Sequence, residues 1–245
     1  MRTALITGAS GALGSAMARA LAADGFRLAL HCHTNRSAAE ALAAEFYAVR
    51  PEGAYIPMQA DLRDAEDVDR LFDLAESRLG GVDVLIANAG TALPQQLLQE
   101  TDPAAFDDVF ALDARGVYLC CRRALPHMIR QKYGRIVTVS SVWGVSGGSC
   151  EAIYSAAKAA VIGLTKALAR EAGPSGVTCN CVAPGWIESP MNAGLGAAER
   201  AAFAEGTALG RVGRPEEVAA AVRFFAGEAA GYTTGQVLGV DGGWG

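Results

Sequence analysis

Aromatic residues make up only 7% of this 245-residue chain, and histidine occurs three times. Basic residues are outnumbered, 21 Lys and Arg against 26 Asp and Glu, for a formal charge of −5. A chain so charged lacks the basic footprint of a nucleic-acid-binding protein, and its acidity alone describes a solvated surface. The six cysteines (Cys32, Cys120, Cys121, Cys150, Cys179 and Cys181) contain no CxxC spacing. His31, His33 and His127 form no helical ligand pair. Neither a metal site nor a disulfide framework is therefore expected, and the cysteines read as buried thiols. No apolar run approaches the roughly 18–20 residues of a membrane span. Met1-Arg-Thr-Ala-Leu-Ile leads straight into a strand without a signal peptide. The expected location is the cytoplasm.

What is present is a composition 51% hydrophobic with 29 glycines, which suits a compact α/β protein. Strands are expected at 3–7, 27–32, 54–58, 82–87, 135–140, 178–182 and 236–240. Helices are expected at 13–23, 37–48, 64–79, 103–130, 153–172 and 215–226, with Asp64 as a cap and Pro215 at a helix start. Short β-branched runs joined by helices indicate βαβ crossovers and a parallel sheet covered on both faces. The alternation runs from end to end, which predicts one doubly wound α/β domain of about seven parallel strands, without a linker. The Gly- and Ala-rich stretch 186–206 interrupts it. It reads as a substrate lid or as a surface loop carrying short helices.

The first strand ends in Thr7-Gly8-Ala9-Ser10-Gly11-Ala12-Leu13-Gly14. Glycines here let the backbone turn tightly and approach a pyrophosphate, which then sits on the next helix's N-terminus. The motif is not GxGxxG; its place between the first strand and first helix is what makes it informative. Asn88-Ala89-Gly90 closes the fourth strand as a small-residue turn. Asp61-Leu62 closes the third, with Asp61 either an acceptor for adenine or a turn aspartate. The second strand ends in Cys32-His33-Thr34-Asn35-Arg36-Ser37. An acidic residue there would select NAD through the ribose hydroxyls. Asn35, Arg36 and Ser37 stand in its place, and an arginine with small polar neighbours suits a 2′-phosphate. NADP(H) is favoured over NAD(H).

Tyr154 and Lys158 are four residues apart on an expected helix and so share a face. Ser141 lies thirteen residues before Tyr154. A cation beside a phenol stabilises phenolate, and a nearby hydroxyl can hold a carbonyl oxygen. That combination suits hydride addition to, or removal from, a carbonyl carbon.

With these motifs in order, the chain resembles the short-chain dehydrogenase/reductase family over essentially its full length. The match rests on Thr7–Gly14, Asn88-Ala-Gly90, Ser141 with Tyr154-x-x-x-Lys158, Pro184-Gly185 and Val240-Asp-Gly-Gly243. Within the family it is most similar to the 3-oxoacyl-[acyl-carrier-protein] reductases. Gly134–Val142, Pro184–Met191 and Gly210–Glu217 carry that finer likeness, though many sugar, steroid and alcohol dehydrogenases share these segments. The resemblance implies Tyr154 as general acid, Lys158 as its activator and a ligand of the nicotinamide ribose, and Ser141 as the group that polarises the carbonyl. It places the main chain of Ile187 beside the nicotinamide carboxamide. It implies an acyl thioester substrate, carried by acyl carrier protein or CoA, and a homotetramer built on the two long helices. Lys132 stands where such reductases dock the acidic carrier, and equally reads as a solvated helix-end lysine. Gly173-Pro-Ser175-Gly stands where a second basic residue is often found.

Two departures stand out. Ala12 replaces a glycine of the phosphate loop, a change the family tolerates. Asp113 replaces the asparagine that helps hold a water linking the catalytic lysine to solvent. An ionised aspartate donates no hydrogen bond and favours the protonated form of Lys158. It either keeps the activating cation in place or screens it and leaves the phenol's pKa higher. Two alternatives to a 3-oxoacyl thioester reductase stay open: a dehydrogenase or ketoreductase of another small carbonyl, and a non-catalytic cofactor-binding partner subunit.

Overall fold

The computed structural model describes residues 1–91, 93–189 and 196–244. Seven strands form one parallel sheet: β1 Thr3–Ile6, β2 Arg27–Cys32, β3 Tyr55–Gln59, β4 Val84–Ala87, β5 Gly134–Val139, β6 Val177–Pro184 and β7 Val237–Val240, in the order β3-β2-β1-β4-β5-β6-β7. Every pairing is parallel. The helices are α1 Ala12–Ala23, α2 Arg36–Val49, α3 Ala65–Leu79, α4 Pro103–Phe110, α5 Val117–Gln131, α6 Val142–Ser146, α7 Ala152–Ala172, α8 Ala197–Glu205 and α9 Pro215–Ala226.

The inner strands are largely apolar and buried on both faces, while the edge strand β7 is partly exposed. On one face α1, α2 and α9 cover Ala4, Ile6, Leu28, Leu30, Val84 and Ile86. On the other, α3, α5 and α7 cover Leu5, Ala29, Leu85 and Ile136. Local caps set the entries: Asp64 accepts the Glu66 N–H at 2.8 Å, and Asn35 accepts the Ala38 N–H at 3.2 Å. Strand order reverses between β1 and β4, so a crevice opens beyond their carboxyl ends, where doubly wound sheets bind ligands.

Three differences from the sequence expectation matter. The helix expected over 103–130 is broken in its middle by a π segment, Ala111–Gly116. Helix α6, whose N-cap is Ser141, was not anticipated. With mean hydropathy 1.2, Ala152–Ser175 is long and apolar enough, by length and composition, to cross a membrane. The sequence reading missed this. In the fold, Lys158, Val161, Thr165 and Leu168 of α7 are buried. Of the expected lid, residues 190–195 lie outside the described residues; α8 and the turn from Trp186 to Ser189 are its described parts.

Candidate active site

The loop after β1 and the turn after β4 meet at the crevice. The Thr7 hydroxyl donates to the Ile86 carbonyl at 3.3 Å and accepts the Asn88 and Ala89 amides, both at 2.9 Å. Asn88 Nδ2 donates back to the Thr7 carbonyl at 2.9 Å. Thr7 therefore joins the two motifs, a role the sequence reading quoted no residue for, although threonine directly before Gly8 was a usable signal.

Gly8 has φ +66°, in the region glycine favours. A Cβ on Gly14 would lie 2.1 Å from the Gly8 carbonyl oxygen. That glycine lets the loop fold back on the first turn of α1. Gly11 caps α1 with no side-chain hydrogen bond, so the first-turn amides are left to a ligand, and the helix dipole favours an anion there. The cradle therefore fits a dinucleotide pyrophosphate. Ala12 and Leu13 form its first helical turn, and Ser10 its half-buried rim.

The adenosine side is more heavily prepaired than the sequence implied. Asp61 carries a fork from Arg63, with contacts of 2.8 to 3.1 Å, and lies 3.6 Å from His33. Arg63 draws the Asp61 carboxyl below its usual range, against some burial. Leu62 is buried beneath the π segment. Asn35 caps α2 and accepts the Ser37 hydroxyl at 3.1 Å. Arg36 is exposed and gives its Nε to Glu40 at 2.8 Å.

The candidate catalytic residues come together from separate elements. Ser141 follows β5 and accepts the Trp143 N–H on its Oγ at 3.2 Å. Helix α6 lies flush on α7: a Cβ on Gly144 would lie 2.6 Å from Ser140 Oγ and 2.8 Å from the Lys158 backbone. Ser140 Oγ donates to the Lys158 carbonyl at 2.8 Å. The serine and the Tyr154–Lys158 turn are thereby fixed side by side. Lys158 Nζ lies 5.5 Å from the Tyr154 ring centroid and donates to the Val139 carbonyl at 3.3 Å.

Asp113 completes the group. It is fully buried in the π segment, accepts the Thr91 N–H on Oδ1 at 2.8 Å, and brings Oδ2 to 3.1 Å from Lys158 Nζ. Their attraction is chiefly Coulombic, with a smaller hydrogen-bond contribution. Burial pulls the Lys158 ammonium down, but the Asp113 carboxylate and the Tyr154 oxygen outweigh it and hold Lys158 above its ordinary range. A Cβ on Gly90 would come within 2.8 Å of Asp113 Oδ2 and 2.9 Å of Lys158 Nζ. The Asn88-Ala-Gly90 turn is therefore in direct contact with this ion pair.

The remaining motifs close the far side. Pro184-Gly185 packs on the final turn, where a Cβ on Gly185 would lie 2.9 Å from the Asp241 Cα. Ile187 is buried and bridged to Gly213. Trp143, Phe203 and Trp244 cluster here: Phe203 stacks on Trp244 with centroids 4.2 Å apart, and Trp143 meets Trp244 edge-on at 5.7 Å. Trp186 reaches Phe203 at 5.3 Å. This cluster escaped the sequence reading, because three of its four members are single tryptophans in separate segments. Lys132 stands apart. It caps α5 ahead of β5, at the opposite end of that strand from Ser141.

Comparison with known proteins gives the family. Residues 8–245 match the family model described as enoyl-(acyl carrier protein) reductase. The chain belongs to the short-chain dehydrogenase/reductase family. It is 41% identical to a 3-oxoacyl-[acyl-carrier-protein] reductase of Synechocystis, over 99% of this chain and 96% of that one. It is also 41% identical to a cis-4-hydroxycyclohexanecarboxylate dehydrogenase of Sinomonas cyclohexanicum, over 99% and 96%. Among solved structures, levodione reductase superposes with a TM-score of 0.93 at 32% identity, covering 98% of this chain and 96% of that one. The chain is an oxidoreductase of this family, whose members bind NAD(P)(H).

Proposed function

We propose that the protein reduces a 3-oxoacyl thioester to the 3-hydroxyacyl form with NADPH. The observation that carries the chemistry is the buried Asp113–Lys158 pair beside Tyr154, at the mouth of a pyrophosphate cradle. When bound, the nicotinamide supplies the hydride. Ser141 Oγ holds the carbonyl oxygen, and Tyr154 delivers the proton that neutralises it. Lys158 keeps a positive charge next to the phenol, and Asp113 keeps that lysine protonated although it is buried. The two Nη groups of Arg36 are not used in its bond to Glu40 and suit a 2′-phosphate. The thioester assignment draws support from the Synechocystis relative.

A second substrate class, a cyclic ketone or alcohol, draws support from the four-ring cluster beside Ser141 and from the Sinomonas relative. In either reading the stretch 186–206 serves as a lid, the enzyme works in the cytoplasm, and the chain assembles as a homotetramer. The exposed apolar side chains Phe106 of α4 and Tyr118 and Ile129 of α5 favour assembly. An acyl carrier docking on Lys132 would, from its place ahead of the amino end of β5, serve the active site of another subunit.

A panel of acetoacetyl thioesters and cyclic ketones, run with NADPH and NADH side by side, tests this reading. Higher kcat/KM for the thioester with NADPH supports it. Preference for the cyclic ketones transfers the assignment to the second class. Dinucleotide binding without turnover on any carbonyl favours the non-catalytic alternative.

A further inference from the structure

His31 is the penultimate residue of β2 and is only 2% exposed. Its two ring nitrogens reach two different segments. Nδ1 accepts the Gly8 N–H at 3.1 Å, and Nε2 lies 3.1 Å from the Ala60 carbonyl oxygen. A carbonyl only accepts, so Nε2 must carry the hydrogen; Nδ1 faces an N–H and must be bare. Both contacts thus select the same neutral tautomer. A protonated ring would set one N–H against another at Gly8.

The same residue also uses its backbone, because the His31 carbonyl accepts the Ala9 N–H at 2.8 Å. Consecutive amides at the opening of the loop are therefore held by one residue. Gly8 is the position with φ +66°, where the chain turns toward α1. Ala60 directly precedes Asp61 and Leu62 on the adenosine side.

We propose that His31 is a positioning residue for the dinucleotide loop: it fixes the Gly8–Ala9 backbone, and with it the aim of the α1 amides, and couples that loop to the Ala60–Leu62 segment. The inference rests on the reading that this loop holds the pyrophosphate. Burial, reinforced by His33 and opposed by the Ala60 bond and Asp61, lowers the His31 pKa to about 4, which keeps the ring neutral and the coupling intact at ordinary pH.

Three substitutions separate this role from simple core filling. His31→Asn keeps an acceptor near the Nδ1 position and loses the reach to Ala60. His31→Gln keeps a donor near the Nε2 position and leaves the Gly8 amide unpaired. His31→Leu keeps bulk alone. The Kd for NADPH is measured by fluorescence titration without a carbonyl substrate. Since a buried amide without a partner is costly, the Gln and Leu variants are expected to bind about tenfold more weakly. The Asn variant should stay within about threefold, and the carbonyl KM at saturating NADPH should be unchanged in all three. Equal losses in all three variants, or none, overturn the proposal. Failure of the wild-type chain to bind any dinucleotide overturns the underlying reading instead. If the variants do not fold, imidazole nitrogen NMR on the wild type decides. A neutral ring protonated at Nε2 is expected at neutral pH, and an Nδ1–H tautomer or a cationic ring overturns the proposal.

Discussion

Asp113 Oδ2 lies 3.1 Å from Lys158 Nζ, and both side chains are buried. The aspartate that departs from the family pattern is thus a direct partner of Lys158, the lysine proposed to activate Tyr154. It neutralises the charge it keeps in place: Lys158 stays protonated, but Tyr154 faces an ion pair rather than a lone cation. In Asp113→Asn that negative charge is gone, so the Lys158–Tyr154 pair holds its protons less strongly. The pH–rate profile for carbonyl reduction is expected to move toward lower pH with the fold retained. A profile identical to wild type would remove Asp113 from the proton path.

The same pair links stability to pH. Lys158 is held above its ordinary range in the fold. Its contribution is therefore complete below the unfolded lysine value of about 10.4 and is lost as pH rises through the higher folded value. Removing one partner of a buried pair costs ~3–5 kcal/mol. Asp113→Ala should therefore lose stability on this scale at neutral pH in urea unfolding, and Asp113→Ala with Lys158→Met should recover most of it. Simple addition of the two single losses would show that the ion pair contributes no coupling.

Gly90 offers a steric test. Its added Cβ would stand 2.8 Å from Asp113 Oδ2 and 2.9 Å from Lys158 Nζ. Gly90→Ala is expected to displace the pair and reduce kcat by at least tenfold. Gly80→Ala offers a contrast in the same assay: its Cβ meets nothing within 4 Å, although its φ of +81° strains any side chain. Gly80→Ala should cost stability and leave kcat alone. Unchanged kcat in Gly90→Ala would mean the turn does not constrain the site.

The proposed choice of NADPH is tested at Arg36. Its Nε is engaged by Glu40. Arg36→Ala should raise the KM for NADPH ~10-fold or more, the scale of losing a charge-assisted hydrogen bond, with little change for NADH. Glu40→Gln should lower the NADPH value, because it releases the guanidinium. Equal effects on both coenzymes would place the 2′-phosphate elsewhere.

The fold was legible because each strand is a short apolar run and each helix has its own period. The bounds of β2 and α9 agree residue for residue with the sequence reading. Five of the six cysteines are buried as read, while Cys150 is only half-buried; burial pushes the Cys120 and Cys179 thiols up to about 12. The π segment was not legible, because one extra residue per turn leaves the apolar pattern of 103–130 nearly unchanged. Its reason is tertiary: Asp113 is anchored to Thr91 and Lys158 from two other segments. Ser141, Tyr154 and Lys158 could be named from spacing, but the tie through Ser140 and Gly144 that holds them together could not. His31 was read only as a histidine without a ligand partner, since its partners are backbone groups 23 and 29 residues away.

In the proposed mechanism Tyr154 and Ser141 bear the chemistry itself. Tyr154→Phe removes the proton donor, and loss of a positioned general acid costs on the order of 10²–10⁴ in rate. Ser141→Ala should reduce kcat in the same direction while NADPH affinity stays near wild type. Retained turnover in either variant would move the proton donor or the carbonyl ligand to another residue.

The most direct test of the account is NADPH oxidation by the purified protein with an acetoacetyl thioester, alongside Tyr154→Phe. The account predicts saturable turnover that yields the 3-hydroxyacyl product and disappears in the variant with NADPH still bound. NADPH binding without thioester turnover by the wild-type protein would contradict it.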